Sequence, residues 1–582
     1  MSTNLSKQKR DDLVKKIKAI HKHIATSSKD ANTTALLEYL AEIEKEIKTK
    51  KYGLVFEEHR EAIDEILATH VPVMSEQKEL FIDNGGQMNF LIEGDNLAAL
   101  QLLQKTHKGK IDVIYIDPPY NTGKKDFMYD DVFIDKDCGF RHSKWLSFMK
   151  RRLIPARTLL SASGVIFISI DDNEHTQLKS LCDEIFGEEN FMANIGIQVR
   201  YADKSLNEEK PFKPLLEYVL VYAKNNKTFQ PNREKEDYTT DKFIYEIEEI
   251  TEGQNVIQNN HNITIFKKDE WKLIKHDAGS KKLLKETWIT GSIYTTMSYG
   301  KVFQTAIEPR IAEDGLGCLY KIHGRGEDGL GYRYYTGPQK ATATKGKMFS
   351  GMPLERIQEM ESGAGAFRYL PIPTLFDFSA DYGNIRHEGG IAFNSGKKPV
   401  KLLKQLITYH KKDNIIVLDF FAGSGSLGHA VIELNQISGS RKYILCTNNQ
   451  NDICKTITYP RLKNAITENG NNSSLKYYKI DFVPISDKIY YEYADKLLLH
   501  IRELVELENG INFRDNPKVA IVLDKNELAA FFFKIEETKR FCRRLYLSHD
   551  LLLTSEQEKL LDERKIKLNL IPQYYYRNED EA

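Results

Sequence analysis

Ile111-Asp112-Val113-Ile114-Tyr115-Ile116-Asp117-Pro118-Pro119-Tyr120 is the stretch whose reading decides the fold. The run is apolar and dense in β-branched residues, so it reads as a strand buried in a parallel sheet. It stops at a carboxylate, two prolines and an aromatic ring. The prolines cannot continue a central sheet, and Pro118 pushes Asp117 toward extended backbone. Asp117 and Tyr120 are therefore expected just past the carboxyl end of a strand, where open α/β sheets bind ligands. The carboxylate can accept a hydrogen bond from an amino group, the carbonyls around the prolines can accept more, and Tyr120 offers a flat face. Together they suit an exocyclic amine on a nucleobase turned out of its helix. A strand ending in a Pro-Pro turn with a helix-capping Asp would leave the same letters, so a second motif has to decide.

That motif lies far downstream, at Ile415-Ile416-Val417-Leu418-Asp419-Phe420-Phe421-Ala422-Gly423-Ser424-Gly425-Ser426. A buried strand runs into a Gly-x-Gly turn, and a helix opens over 427–434. The glycines let the backbone approach a ligand closely. Neither Gly-x-Gly-x-x-Gly nor Gly-Lys-Ser/Thr follows, so a pyrophosphate site is disfavoured. A small zwitterion with a carboxylate and an amine fits better. The next strand, 442–447, ends in Asn448-Asn449-Gln450, where a ribose could be held.

Around these two stretches the chain alternates strands and helices. A strand at 89–93 ends in Gly94-Asp95-Asn96 and leads into a helix at 97–103. Two consecutive strand–polar-loop units sharing one edge would make a binding crevice with Asp95 and Asn96 on it, although Gly-Asp-Asn alone is more often just a turn. A basic amphipathic helix follows Trp145, then come strands at 164–170 and 217–223 with a helix near 176–186 between them. Lys398-Pro399 precede another helix that runs to Tyr409. The rhythm predicts a doubly wound α/β domain. It is interrupted over 226–370, a polar, Thr- and Gly-rich segment. Within it, 320–349 is basic and aromatic, with Lys321, Arg325, Arg333, Lys340, Lys345 and Lys347 interleaved with Tyr320, Tyr332, Tyr334, Tyr335 and Phe349. Such a stretch suits phosphate contacts plus stacking, and it equally suits a solvated face.

The remainder is less informative. Leu13, Ile17, Ile20 and Ile24 share one helical face, as do Leu36, Leu40, Ile43 and Ile47, so 1–70 reads as a helical hairpin around the polar segment 25–34. The last hundred residues carry an amphipathic helix at 494–507 and apolar strands, and read as a small separate α/β domain. At 582 residues the chain holds about three or four domains. Its formal net charge of zero means that any nucleic-acid surface is local. The 6 cysteines are scattered with no Cys-x-x-Cys, which argues against zinc and against a disulfide framework. Polar, charged N-terminal residues and the lack of a long apolar run give no membrane span, and a cytoplasmic location is expected.

Asp-Pro-Pro-Tyr after one strand and Asp-x-Phe-x-Gly-Ser-Gly-Ser after another is a pairing that resembles the amino-group DNA methyltransferases using S-adenosylmethionine. The catalytic motif precedes the cofactor motif, as in the β class. Gly94-Asp95-Asn96-Leu97, Trp145-Leu146, Ile170-Asp171-Asp172 and Lys398-Pro399 fall where methylase (Mod) subunits of type III restriction–modification systems have such residues. The resemblance implies a Rossmann-like, S-adenosylmethionine-dependent α/β domain in two parts, 71–225 and 371–475, around a target-recognition domain at 226–370. An N-terminal helical region (1–70) and a C-terminal accessory domain (476–582) flank it. It implies that Asp117, Pro118, Pro119 and Tyr120 hold the adenine amino group, and that Asp419, Phe421, Ala422, Gly423, Ser424, Gly425, Asp95, Asn96, Lys398 and Pro399 serve the cofactor. No metal is implied. Double-stranded DNA is the expected substrate, with the basic residues of 320–349 on its phosphates. A homodimer, assembled through the N-terminal hairpin or helix 494–507, and a separately encoded restriction subunit are the expected partners. Adenine over cytosine follows from Asp at 117, because Ser is commoner in the cytosine-N4 relatives. One departure stands out: the family's ribose-binding acid is replaced by Gln450, with Asp452 two residues on. The alternative from another class is a non-catalytic subunit that reads DNA for a partner nuclease.

Overall fold

The structure, a computed structural model, describes residues 5–25, 36–41, 43–44, 56–123, 126–129, 132–135, 137–204, 211–289, 298–363, 365–393, 397–468, 472–485, 497, 500–514, 516–537, 542–572 and 575. They fall into two units, Arg233–Ile372 and the rest of the chain.

The larger unit is built on a ten-stranded sheet. In chain order its elements are β1 (His70–Glu76), β2 (Met88–Glu93), α1 (Asn96–His107), β3 (Ile111–Ile116), α2 (Arg141–Leu159), β4 (Leu160–Ile170), α3 (His175–Phe186), β5 (Phe191–Gln198), β6 (Leu216–Ala223), β7 (Leu375–Asp377), α4 (Val400–Thr408), β8 (Ile416–Asp419), α5 (Ser426–Ile437), β9 (Lys442–Thr447), α6 (Tyr459–Glu468) and β10 (Ser474–Pro484). The strand order is β1-β10-β2-β9-β8-β3-β4-β6-β5-β7. The six central strands from β10 to β4 run parallel, β1 and β6 are antiparallel to their neighbours, and β7 lies parallel to β5. Parallel strands need both faces covered, and these are. Leu100, Trp145, Leu153 and Leu178 of α1–α3 pack on one face, and Leu403, Leu406, Val431 and Leu462 of α4–α6 pack on the other. The chain leaves β3 for the first face and leaves its neighbour β8 for the second. That divergence opens a crevice at their carboxyl ends.

The C-terminal segment differs from the expected separate domain. Strand β10 crosses the expected boundary at 475/476, and the helix Ile501–Asn509 buries Ile501, Leu504, Val505 and Leu507 in the same core as α1–α3. The apolar face expected to mediate assembly is thus covered from within the chain. Lys476, fully buried on β10, bonds Glu506 of that helix and lies 3.4 Å from Glu76, while Tyr478 and the Phe513 amide donate to Glu506 at 2.9 and 2.8 Å. Lys476→Met is expected to strip the cation from two acids and cost about 3–5 kcal/mol of stability, measured by urea denaturation. A loss below about 1 kcal/mol would mean water already satisfies Glu506. Beyond this helix, Val519–Val522, Arg544–Ser548 and Lys567–Ile571 form their own three-stranded parallel sheet.

Of the expected N-terminal hairpin, the helix Leu5–Ala25 is described, with Ile17 buried but Leu13 and Ile20 about half exposed. The connection at 26–35 and Ile47 lie outside the described residues. No helix among the described residues is long and apolar enough to cross a membrane.

The smaller unit is an eight-stranded antiparallel sheet. Its order is Gln254–Gln258, His261–Phe266, Leu319–His323, Tyr332–Thr336, Lys347–Ser350, Leu284–Trp288, Phe243–Glu249, Trp271–Lys275. Ile263, Tyr320, Ile322 and Tyr335 pack on one side against Val302, Phe303 and Ile307, and Phe266, Tyr334 and Phe349 form a second cluster.

Candidate functional site

Asp117 stands immediately past β3, and Asp419 ends β8, which pairs with β3. The sheet therefore brings together two motifs that are far apart in sequence. The Pro-Pro segment is held from α2, where the buried Trp145 donates its indole N–H to the Pro119 carbonyl at 2.7 Å. Just beyond Tyr120, Asn121 adopts left-handed backbone (φ 57°), which asparagine tolerates. Its fully buried amide donates to Glu174 and, at 3.3 Å, to the Arg141 carbonyl, while His142 Nδ1 lies 2.7 Å from the same Glu174 oxygen. The loop that carries Asp117 and Tyr120 is thus anchored at both ends.

Four ionisable side chains meet over that loop. Lys398 Nζ lies 2.6 Å from Tyr120 Oη, 2.6 Å from Glu217 Oε2 and 3.4 Å from Asp117 Oδ1. Tyr120 Oη donates to Glu217 Oε2 at 3.1 Å. Asp117 Oδ1 is buried and accepts no hydrogen bond among the described residues. Burial pushes the Asp117 carboxyl above the usual carboxylate range, against the pull of Lys398. Burial would raise Glu217, but the Lys398 ammonium, the Tyr120 hydroxyl and Arg200 together hold it below its ordinary value. Burial would lower Lys398, but Asp117, Tyr120, Tyr382 and Glu217 together hold it well above its ordinary value.

The Gly-x-Gly turn sits beside this cluster. Gly423 and Gly425 have φ of 48° and 76°, which a β-carbon would strain, and Gly425 caps the N-terminus of α5. Asp419 is buried, accepts the Phe421 amide at 2.9 Å, and is pushed well above its ordinary value by burial. Ser424 is tied down by the buried Arg461, whose guanidinium also reaches Ser426 at 2.7 Å and Glu388 at 2.9 Å. Ala422 is buried beneath the turn. Asp95 caps α1, accepting the Leu97 amide at 2.7 Å, and Asn96 Nδ2 donates to the Phe420 carbonyl at 3.0 Å. Arg152, buried under this edge, bonds Asn96 Oδ1, grips Glu61 with both terminal nitrogens and stacks on Phe148 with 3.6 Å to the ring centroid.

Two cavities open here. One of about 500 Å³ is walled by Asp117, Tyr120, Glu217, Lys398, Ser424 and Leu427. The other, about 600 Å³, is walled by Asp95, Asn96, Phe148, Arg152, Thr447 and Gln450. They share Pro119, Asp126, Phe421 and Gly423. Asp452 is not a wall of either, whereas Gln450 lines the second.

Of the residues expected around Asp117 and Gly423, all but Lys398, Pro399 and Gly425 wall the crevice as expected, and Gly425 caps α5 without lining either cavity. Lys398 faces the Asp117 loop, and Pro399 precedes α4 as its cap residue without lining either cavity. Sequence reasoning gave no role to Glu217, Tyr382, Trp145, Arg152, Glu174 or Arg461. The signal for Glu217 was present: it is the one acid in the apolar strand β6, near its start.

The expected nucleic-acid contacts fare differently. Arg333 is buried and its guanidinium is taken by Asp328. Lys321 pairs with Glu249 at 2.8 Å, and Lys347 pairs with Glu286 at 2.9 Å and lies over the Trp288 ring. Tyr320, Tyr334, Tyr335 and Phe349 are core residues rather than a stacking surface. The segment is sheet buried on both faces: Tyr320, Tyr335 and Arg333 share one face, and Tyr334 and Phe349 share the other with Lys321, whose ammonium lies over the Tyr332 ring. Lys340 and Lys345 are exposed on the loop 337–346, and Arg325 is half-buried.

Residues 111–458 match the DNA methylase family. Among relatives, the chain is 33% identical over 405 residues to a protein named probable type III restriction-modification enzyme HindVI Mod subunit, of Haemophilus influenzae. That match covers 65% of this chain and 50% of the relative. It is 31% identical over 410 residues to the type III restriction-modification enzyme EcoPI Mod subunit of Escherichia phage P1, covering 64% and 59% of the two chains. With type II methyltransferase M.KpnI of Klebsiella pneumoniae it shares 30% identity over 410 residues, covering 67% of this chain and 90% of that one. The chain thus spans about half to three-fifths of the length of the two Mod subunits.

Proposed function

Because the chain belongs to the DNA methylase family, we propose that it transfers a methyl group from S-adenosylmethionine to the N6 amine of an adenine flipped out of double-stranded DNA. The observation that carries this reading is the buried Asp117 Oδ1, an acceptor without a donor, on the wall of a cavity continuous with the Gly423 turn. An exocyclic amine fits it, because such an amine must lose its lone pair's conjugation with the ring before it can attack. Asp117 accepts one N–H. The Pro119 carbonyl is already taken by Trp145, so the Pro118 carbonyl is the acceptor for the second. Held by both hydrogens, the amine turns its lone pair toward the Gly423 side of the crevice. Tyr120 lies flat against the base. S-adenosylmethionine supplies an electrophilic methyl on a sulfonium.

The residues present fit that cofactor. Asn96 and Gln450 offer neutral donors and acceptors for an adenosine in the second cavity, Phe421 and Phe148 offer apolar faces, and the α5 N-terminus with its Gly-Ser-Gly turn lies where a carboxylate is stabilised. Catalysis by this chain is then alignment plus electrostatics. The product amine releases its proton to Asp117 or water after transfer.

The smaller unit is proposed to recognise the target sequence. With Arg333, Lys321 and Lys347 paired internally, the exposed Lys340 and Lys345 are the phosphate contacts expected from it. Lys340→Ala with Lys345→Ala should weaken DNA binding at all sequences and reduce the slope of log K against log salt by about 2, roughly 0.9 per phosphate. An unchanged slope removes loop 337–346 from the interface. Similarity to Mod subunits supports a modification role beside a separate restriction subunit, and a homodimer remains the form proposed for the chain itself. Long-read sequencing of DNA from a host expressing the chain tests the whole reading. Adenine modification at one recurrent sequence is expected, and unmodified DNA would favour a DNA-reading subunit without catalysis.

A further inference from the structure

Lys398 is close to the acceptor that an incoming amine needs, yet it is bound elsewhere. Its ammonium sits 2.6 Å from Glu217 and from Tyr120 but 3.4 Å from Asp117 Oδ1, which is left without a donor. The Lys398 side chain is 9% exposed, and Asp117 and Glu217 are each 20% exposed, so attraction inside the cluster is weakly screened. An ammonium between two carboxylates settles on the one that geometry favours. Here that is Glu217, which comes from β6 and belongs to neither motif.

We infer that Glu217 is a positioning residue: it holds the Lys398 ammonium off Asp117, and so keeps the Asp117 acceptor open for the amine of the target base. The inference rests on the methyl-transfer reading of the site. Without Glu217 the ammonium has one carboxylate left and closes on it, occupying the place of the substrate amine. The same pair acts on Asp117 in opposite senses, Lys398 lowering its proton affinity and Glu217 raising it. The other titratable groups facing this cluster are Tyr115, Tyr120 and Asp419 at the ends of β3 and β8, Tyr382, and, toward Glu217, Asp171 and Arg200. None of these is altered in the variants below.

The test compares methyl transfer to DNA by the full chain as wild type, Glu217→Gln, Lys398→Met and the double variant, with S-adenosylmethionine binding as the control for folding. Glu217→Gln keeps the side chain's size and loses its charge. It should lower kcat at least about tenfold, the scale of a misplaced reacting group, with cofactor binding unchanged. The acid limb of kcat should move to lower pH in Glu217→Gln and to higher pH in Lys398→Met. Above that limb the double variant should regain most of the activity lost in Glu217→Gln, because no ammonium remains to block Asp117. A double variant no better than Glu217→Gln, or acid limbs that move in the same direction, would overturn the inference. If Glu217→Gln does not fold, Glu217→Asp carries the test: it keeps the charge and should keep the wild-type acid limb, and a displaced limb counts against the role. A crystal structure of Glu217→Gln needs no activity. Lys398 Nζ should lie about 2.8 Å from Asp117 Oδ1, an ordinary hydrogen bond, and an ammonium still on residue 217 and Tyr120 overturns the proposal. A wild-type chain that transfers no methyl group would instead sink the methyl-transfer reading, with the crystal structure still deciding what Glu217 does.

Discussion

Asp117→Ala is expected to slow methyl transfer to adenine sharply while leaving S-adenosylmethionine bound. The carboxylate accepts a hydrogen from the amine as that amine gives up conjugation with its ring, so its contribution grows toward the transition state. Removing one preorganised hydrogen-bonding group at a reacting centre lowers kcat by about 10²–10³-fold. Loss of the anion also leaves Lys398 with Glu217 as its remaining carboxylate, so the ammonium stays clear of the cofactor side. Cofactor affinity should change less than about threefold, within a fraction of 1.4 kcal/mol. The pH profile of the unaltered chain carries the same assignment. Burial raises the Asp117 carboxyl, so it protonates at a higher pH than a solvated carboxylate. Activity should therefore fall as pH drops through that raised value, and the acid limb should lie above the ordinary carboxylate range of about 4. Rapid-quench assays across pH, beside calorimetric titration of the cofactor, measure both. Full activity in Asp117→Ala, or loss of cofactor binding with it, would remove Asp117 from the base pocket.

Phe421→Ala should do the reverse. Phe421 walls both cavities and packs against Phe148 and Phe420, with ring centroids 5.8 and 5.3 Å away. Truncation removes an apolar wall worth about 1.5–3 kcal/mol, or roughly 10- to 100-fold in Kd for the cofactor. The Asp117 cluster lies outside this change, so kcat at saturating cofactor should fall far less than in Asp117→Ala. An unaltered Kd for the cofactor would place it away from the Gly423 turn. DNA binding should survive both variants.

The parts of the site that lie on strand ends were legible in the sequence for a physical reason. An apolar run that halts at Asp-Pro-Pro-Tyr or Asp-Phe-Phe-Ala-Gly has to leave the sheet there, and a doubly wound sheet brings such ends to one edge. Asp117, Tyr120, Asp419 and Gly423 are placed by that rule alone. Arg152 and Arg461 were not legible as site residues, and Glu217 was marked only as the one acid in β6, because their partners come from distant elements. Glu217 meets Lys398 from β6 and Arg461 reaches Ser424 from α6, pairings set by helix and strand packing and not by spacing. The basic–aromatic stretch misled in the opposite way. Its composition reported a two-sided strand, and Tyr334, Tyr335 and Arg333 turned inward. Of the segment read as an amphipathic helix over 494–507, the helix Ile501–Asn509 buries its apolar side, but amphipathicity does not say which surface covers that side. Here it is the face of the main sheet that α1–α3 also cover.

The most direct test of one crevice uniting the two strand-end motifs uses S-adenosylmethionine with a trideuterated methyl group, the purified chain, and mass spectrometry of the digested DNA. Trideuteromethyl on N6 of deoxyadenosine is expected with the wild-type chain, forming at least about 100-fold more slowly with Asp117→Ala. Label on N4 of deoxycytidine, or DNA left unlabelled by a wild-type chain that binds the cofactor, would contradict that expectation.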